Sequence, residues 1–399
     1  MDNFVIPECT FSERSKQLTN SAIRRILKVT ESPKTISFAG GLPAPKGFPV
    51  TVIQSAFNKV LSQNGYTALQ YSPTEGYYPL REWIANEASQ FCNCSIKPEQ
   101  ILIVSGSQQA LDLLSKIFID HGSNILIENP SYIGALQSFN LYKPNYIPLP
   151  TDNDGLISDS ITPDLAKICR FLYVLPNFQN PTGQTLNFYR RVHLVKLSEQ
   201  FQFPIIEDDP YGDLRFIGTP QPTLFSLSNK YGGNIIHLGS FSKILAPGLR
   251  LGYILASKHV IDKLVQAKQA TDLHTSTLTQ MAVYEILKTG FIKKHLTNIR
   301  QIYREQSISM INTMEKKFPK EVSWTRPEGG MFLWVTLPTQ INSTKLLKKA
   351  IEKNVVFVPG EFFYSEKSLT NTLRLSFSTV PEEKILEGIS ILGKLLDEY

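Results

Sequence analysis

Short apolar, β-branched runs recur along the chain: ILIVS at 101–105, NILIEN at 124–129, FLYVLP at 171–176, FPIIEDD at 203–209, NIIHLGS at 234–240 and LGYILAS at 251–257. Between them lie amphipathic segments such as SQQALDLLSKIFIDH, with apolar positions three and four apart. Strands buried on both faces read as continuous apolar runs, so the alternation predicts an α/β fold with a mostly parallel sheet sandwiched by helices. The pattern is helical from about 259 to 317, with Pro319 closing it. Beyond it, SWTRPEGGMFLWVTL, VVFVPGEFF and TLRLSFS predict antiparallel strands with helices, a smaller α+β unit. At the other end, SKQLTNSAIRRILKV at 15–29 places Ile23, Ile26 and Leu27 at helical spacing after an Asn20 or Ser21 cap, and Ser32-Pro33 stops it. TISFAGGLPAPKGFP at 35–49 is too rich in Gly and Pro for regular structure; it reads equally as a domain crossing and as a loop passing close to a ligand. The expected division is an N-terminal helix and loop over 1–50, a large domain over 51–290 and a small one over 291–399.

With 42% hydrophobic and 19% charged residues among 399, the chain can bury a large core and is not a disordered tail. Lys and Arg number 41 against 35 Asp and Glu, a formal charge of +6 without a like-charged block, which does not imply nucleic acid. Cys9, Cys92, Cys94 and Cys169 are too few and too irregular for a disulfide scaffold, and Cys92-x-Cys94 lacks the spacing of a zinc or redox pair. They read as reduced thiols of a cytoplasmic protein, with no metal site expected. The opening MDNFVIPECTFSER has no basic segment followed by an apolar run, and no apolar stretch reaches the roughly 18 residues of a membrane span.

In a parallel sheet, ligands bind beyond the carboxyl ends of the strands, so the residues after each run carry the chemistry. Gly106-Ser107-Gln108 before a helix outlines an anion site, although Ser-rich caps are common. Tyr132 places a ring at the next strand end, as a core tyrosine also would. Asn177 to Gly183 forms a turn that aims the Asn180 amide outward. Glu207, Asp208 and Asp209 end an apolar strand, where three carboxylates resist burial and at least one is expected to meet a cation. Lys243, flanked by Ser240 and Ser242, has no acid near it in sequence, and burial favours its neutral, nucleophilic form. An anion cradle, a ring, an amide, an acid and a lysine at the ends of one sheet are together what pyridoxal 5′-phosphate requires.

Asn180-Pro-Thr-Gly, Asp208 with Tyr211 three residues on, and Ser240-x-Ser-Lys243 with Arg250 seven beyond the lysine resemble the fold-type-I, class I/II aminotransferases over essentially the whole chain. SAIRRILK followed by ISFAGGLPAPKGFP resembles more narrowly the 2-aminoadipate and kynurenine aminotransferase branch, which also supplies the catalytic half of MocR-type regulators. The resemblance implies that Lys243 holds the cofactor covalently and then shuttles a proton, that Asp208 pairs with the ring nitrogen, and that Asn180 and Tyr211 donate to the ring hydroxyl. It implies stacking by Tyr132, phosphate binding by Ser107, Gln108, Ser240, Ser242 and Arg250, and a homodimer in which Tyr71 reaches the neighbouring site. Arg374 would clamp the substrate α-carboxylate, with Gly40 or Gly41 closing over it. Arg24, or the adjacent Arg25, would meet the side-chain carboxylate of an acidic amino acid. The implied reaction is ping-pong transfer of an amino group from an L-amino acid to a 2-oxo acid such as 2-oxoglutarate.

Other readings differ in what they need. A β-lyase or decarboxylase of the same fold needs a different bond held perpendicular to the cofactor ring. A non-catalytic effector-binding protein would dispense with the catalytic positions, and those regulators carry a DNA-binding segment for which this chain has no room. A nicotinamide enzyme needs Gly-x-Gly-x-x-Gly at a first strand turn, and Ser105-Gly106-Ser107 is not that.

Overall fold

The computed structural model describes residues 10–12, 14–18, 26, 34–366 and 369–399. Helices α1 (Val50–Ala68) and α2 (Tyr78–Cys92) lead into a seven-stranded sheet. Its chain order is β1 (Ile101–Val104), α3 (Ser107–Phe118), β2 (Asn124–Glu128), α4 (Ile133–Asn140), β3 (Asn145–Leu149), α5 (Pro163–Ile168) and β4 (Cys169–Val174). It continues with α6 (Phe188–Phe201), β5 (Pro204–Asp208), α7 (Leu224–Tyr231), β6 (Asn234–Ser240) and β7 (Gly252–Leu255). In space the order is β1-β7-β6-β5-β4-β2-β3.

The strands alternate sides as the pleat requires. Phe171 and Tyr173 of β4 join the core under α3 and α4, whereas Leu172 and Val174 join the core with Leu194 of α6 and Leu227 of α7. Both faces are therefore covered, which explains why these strands read as unbroken apolar runs. β3 carries Pro148 and sits at the sheet edge, where a residue without an N–H is tolerated. Strand β7 is antiparallel to both β1 and β6, with Gly252 opposite Val104 and Ser240. Its beginning, not its end, thus lies at the carboxyl edge of the sheet.

The helical stretch expected from about 259 to 317 is three helices, α8 (Lys258–Gln269), α9 (Thr277–Leu287) and α10 (Phe291–Lys317). Ser276 caps α9 by accepting from the Thr279 N–H, and Gly290, at φ +73°, starts α10. Apolar periodicity runs through both breaks because all three segments bury a face, so only the cap residues signal them. The C-terminal sheet is antiparallel, ordered β8 (Ser323–Trp324), β9 (Phe332–Thr336), β11 (Thr372–Ser376), β10 (Val358–Pro359), with α11 (Ser343–Glu352) and α12 (Glu382–Leu396) beside it. A short parallel pairing of Ile36–Ser37 with Val355–Val356 ties the segment after residue 34 to this unit. Among the described residues no helix is long and apolar enough to cross a membrane.

Candidate active site

Beyond the carboxyl ends of the sheet lies a cavity of about 520 Å³. Of the residues singled out in the sequence, Gly41, Ser107, Gln108, Tyr132, Asn180, Asp208, Tyr211, Ser240, Ser242, Lys243, Arg250 and Arg374 line it. Gly40 does not line it. Arg24 and Arg25 lie outside the described residues. Tyr71 is 78% exposed and faces a separate surface groove, its ring edge-on to His274 at 5.8 Å.

The anion end is built by β1 and β7 together. Ser107 is the first residue of α3, and Gly106 before it adopts φ +83°. That φ favours glycine, and a side chain there would also sit 2.5 Å from an Arg250 guanidinium nitrogen and displace it. Arg250 reaches this turn because β7 is reversed; its Nη2 donates to the Ser105 carbonyl at 3.3 Å. The Gln108 amide is engaged elsewhere, donating to the Gly134 carbonyl at 2.9 Å and to Ser138 Oγ at 2.8 Å. Its available donor toward an anion is the backbone N–H in the first turn of α3.

Of the three adjacent acids, only Asp208 lines the cavity. Glu207 turns away from the cavity, accepting the Leu224 and Phe225 N–H groups and pairing with His237 Nδ1 at 3.0 Å. Burial alone would make both groups neutral, but their mutual contact holds Glu207 below and His237 above the ordinary value. Of the three acids, Glu207 is thus the one that meets a basic side chain. Asp209 accepts from Asn177 Nδ2 at 3.0 Å and from the Gly212 N–H at 2.9 Å. Asp208 ends β5 on the cavity side, where burial pushes its pKa up to about 7 against the opposing hydrogen bond from Tyr173. One oxygen takes that bond at 2.7 Å, and the other, Oδ1, is buried without a partner among the described residues.

Lys243 stands across from these groups, donating to the Gly41 carbonyl at 2.9 Å. Burial first, then the charges of Arg250 and Arg374, bring its pKa down to about 8. Arg374 comes from β11 of the other sheet and is 2% exposed. Its Nη1 donates to Asn180 Oδ1 and its Nη2 to the Ala39 carbonyl, each at 2.7 Å, while the Phe332 and Phe363 rings lie 4.3 and 5.0 Å from the guanidinium carbon. Among the described residues no carboxylate pairs with it and its Nε is buried without a partner, and burial lowers its pKa to about 10. An unpaired buried guanidinium is a site for a carboxylate or phosphate. Tyr132 is partly buried on the cavity wall, and burial pushes its hydroxyl pKa up to about 12.

Sequence reasoning missed Tyr173, the carbonyls of Ala39 and Gly41, and the wall residues Leu42, Ile133, Gln137 and Leu175. Only Tyr173 left a signal, as a hydroxyl inside an otherwise apolar strand. A free acceptor on Asp208, a lysine of lowered pKa, and a glycine turn with Ser107 and Arg250 at the far end fit pyridoxal phosphate: a protonated ring nitrogen, an aldehyde and a phosphate.

Residues 39–392 match the family described as aminotransferase class I and II. The chain is 42% identical over 394 residues to aromatic-amino-acid aminotransferase 1 of Thermococcus litoralis, covering 97% of this chain and 94% of that one. It is 44% identical over 388 residues to 2-aminoadipate transaminase of Thermus thermophilus, covering 97% and 96%. Among solved structures, the α-aminoadipate aminotransferase LysN of Thermus thermophilus, complexed with N-(5′-phosphopyridoxyl)-L-leucine, superposes with a TM-score of 0.90 at 42% identity over 97% of both chains. Sequence, fold and site agree: the chain belongs to the class I and II aminotransferases, fold-type-I enzymes that work with pyridoxal phosphate.

Proposed function

We propose that this aminotransferase takes its amino group from 2-aminoadipate, glutamate, or aromatic or branched L-amino acids and delivers it to a 2-oxo acid such as 2-oxoglutarate. The observation that carries this is Arg374, a buried guanidinium with no acidic partner among the described residues, opening on the same cavity as Lys243. A fixed cation beside a nucleophilic amine suits a substrate that carries a carboxylate next to the reacting carbon.

When bound, the cofactor supplies an aldehyde and a conjugated ring that takes up the electrons left when the Cα–H bond breaks. Asp208 holds the ring nitrogen protonated. Asn180 and Tyr211 would donate to the ring oxygen, Tyr132 would pack on the ring, and Ser107, the Gln108 N–H, Ser240, Ser242 and Arg250 would hold the phosphate. Lys243, with its lowered pKa, accepts the Cα proton as a general base near neutral pH and returns it as an acid. Arg374 orients the substrate so that Cα–H, rather than the carboxylate bond, faces cleavage; this favours transamination over decarboxylation.

Tyr71 belongs to the reading as a contribution to the neighbouring subunit of a homodimer, supported by its exposure and its absence from the lining of its own cavity. Arg24 belongs to it as the ligand of an acidic side chain. Relatives named for aminoadipate and for aromatic amino acids support a site that takes both. The cysteine pattern supports a cytoplasmic enzyme.

The test is the absorbance spectrum of the purified protein, followed by single amino acids without any oxo acid. A visible band that moves to shorter wavelength with 2-aminoadipate or glutamate is the expected result. A response to aromatic or branched donors alone removes the Arg24 role, and no band after pyridoxal phosphate is supplied removes the reading of Lys243.

A further inference from the structure

Lys268, near the end of α8, is fully buried. Lysine is rarely enclosed unless its charge is paired, because desolvating an ammonium is costly. Its Nζ donates to both oxygens of Asp272, at 2.8 and 2.9 Å, and to Gln109 Oε1 at 2.8 Å, so all its donors are engaged. The Gln109 amide is equally committed. Its oxygen also accepts the Ser105 N–H at 2.8 Å, and its nitrogen donates to Asp272 Oδ2 at 2.7 Å.

These bonds converge on Ser105, the residue that leads into Gly106-Ser107. Its hydroxyl lies 3.4 Å from Asp272 Oδ2 and 3.2 Å from Thr275 Oγ1, and its carbonyl receives Arg250. Every hydrogen-bonding group of Ser105 is thus held either by the Lys268 cluster, by the loop that follows it or by Arg250. None of the Lys268, Asp272 or Gln109 side chains lines the cavity.

We propose that Lys268, with Asp272 and Gln109, positions the phosphate-binding turn, and so sets the affinity for the phosphate of the cofactor without entering the chemistry. The proposal rests on the reading of Ser107 and Arg250 as phosphate ligands. A turn whose N–H groups must all point at one anion loses affinity when its backbone is free to rotate, and the brace removes that freedom.

The experiment uses the full chain, stripped of cofactor, in two variants. Lys268→Met removes the charge. Gln109→Leu leaves the Lys268–Asp272 pair intact, and carries the test if the first variant does not fold. Dissociation constants are measured for pyridoxal phosphate and for pyridoxal, which lacks the phosphate, and kcat is taken at saturating cofactor. The expected result is weakening on the order of tenfold for pyridoxal phosphate, the scale of partners that orient a ligand-binding group, with pyridoxal and kcat unchanged. Equal weakening of both ligands, or an unchanged constant in a folded variant, overturns the proposal. Arg250→Ala separates the two levels. If it weakens pyridoxal phosphate selectively while Gln109→Leu does not, the brace fails and the phosphate site stands. If it has no selective effect, the phosphate assignment fails and the brace falls with it.

Discussion

The hydroxyl of Tyr173 donates to Asp208 Oδ2 at 2.7 Å, inside a core where both side chains are buried. The two residues sit near the ends of adjacent parallel strands, β4 and β5. Burial drives Asp208 toward its neutral form, up to about 7, and the Tyr173 bond works against that drive. Removing it in Tyr173→Phe raises the Asp208 pKa further. The acidic limb of the pH–rate profile for a single half-reaction should then move up by about one pH unit, since a hydrogen bond to a charged group is worth roughly 1.5 kcal/mol or more. An unmoved limb would show that Tyr173 does not tune the acid.

Lys243 has its pKa lowered from 10.5 to about 8, so between those values the unfolded chain binds more protons than the folded one. The resulting penalty is full below about 8 and fades as pH rises toward 10.5. In cofactor-free protein, Lys243→Met should therefore melt a few degrees higher than wild type at pH 7, with the gap closing above pH 8. The same variant should show no visible absorbance from lysine-bound cofactor and almost no turnover. Wild-type activity would remove Lys243 from its role.

Arg374 combines a forked geometry with stacking between Phe332 and Phe363, neither of which lysine reproduces. Arg374→Lys and Arg374→Ala should both lower kcat/KM by about 30-fold or more for every α-amino acid, as expected when one partner of a buried charge pair is lost. Initial-rate kinetics across acidic, aromatic and branched donors check this. A loss confined to one donor class would contradict an α-carboxylate contact.

Tyr71 gives a prediction about assembly. If it completes the neighbouring site, hybrids of Tyr71→Ala and Lys243→Met chains contain one intact site, with Lys243 from one subunit and Tyr71 from the other. Mixing the two poorly active variants under subunit exchange should restore about a quarter of wild-type activity, because half the dimers are hybrids with one working site each. No recovery despite proven exchange would place Tyr71 outside the neighbouring site.

Arg24→Ala should reduce kcat/KM for 2-aminoadipate on the order of tenfold, the loss of one charge-assisted contact, and leave phenylalanine unchanged. Equal losses for the two donors would dismiss the side-chain carboxylate role.

The strands of the large sheet were legible because strands buried on both faces produce short unbroken apolar runs. β6 spans 234–240, the same residues as its run. β3 was not legible: NYIPL is interrupted by proline, and its pairing depends on an edge position that sequence does not encode. The breaks between α8, α9 and α10 were hidden for the opposite reason, since periodicity persists across them. Gln108 was legible as part of the turn after β1 that borders the cavity, but not the engagement of its amide with Gly134 and Ser138, which lie on another helix.

Taken alone, the sequence determined the inventory: a lysine, an acid, an amide, an aromatic ring and a glycine turn, each following a buried strand, and hence the cofactor they suit. Order along the chain suffices for this because strand ends in a mostly parallel sheet share one edge. Only the tertiary structure decided which side chains converge. The reversal of β7 brings Arg250 to the turn after β1, and the docking of a second sheet brings Arg374 within 2.7 Å of Asn180, 194 residues away in sequence. It also set Asp208, alone of the three acids, on the cavity wall, where Gly41 but not Gly40 joins it. Those choices depend on packing between distant segments, whose free energy is distributed over the whole core and is not contained in any local run.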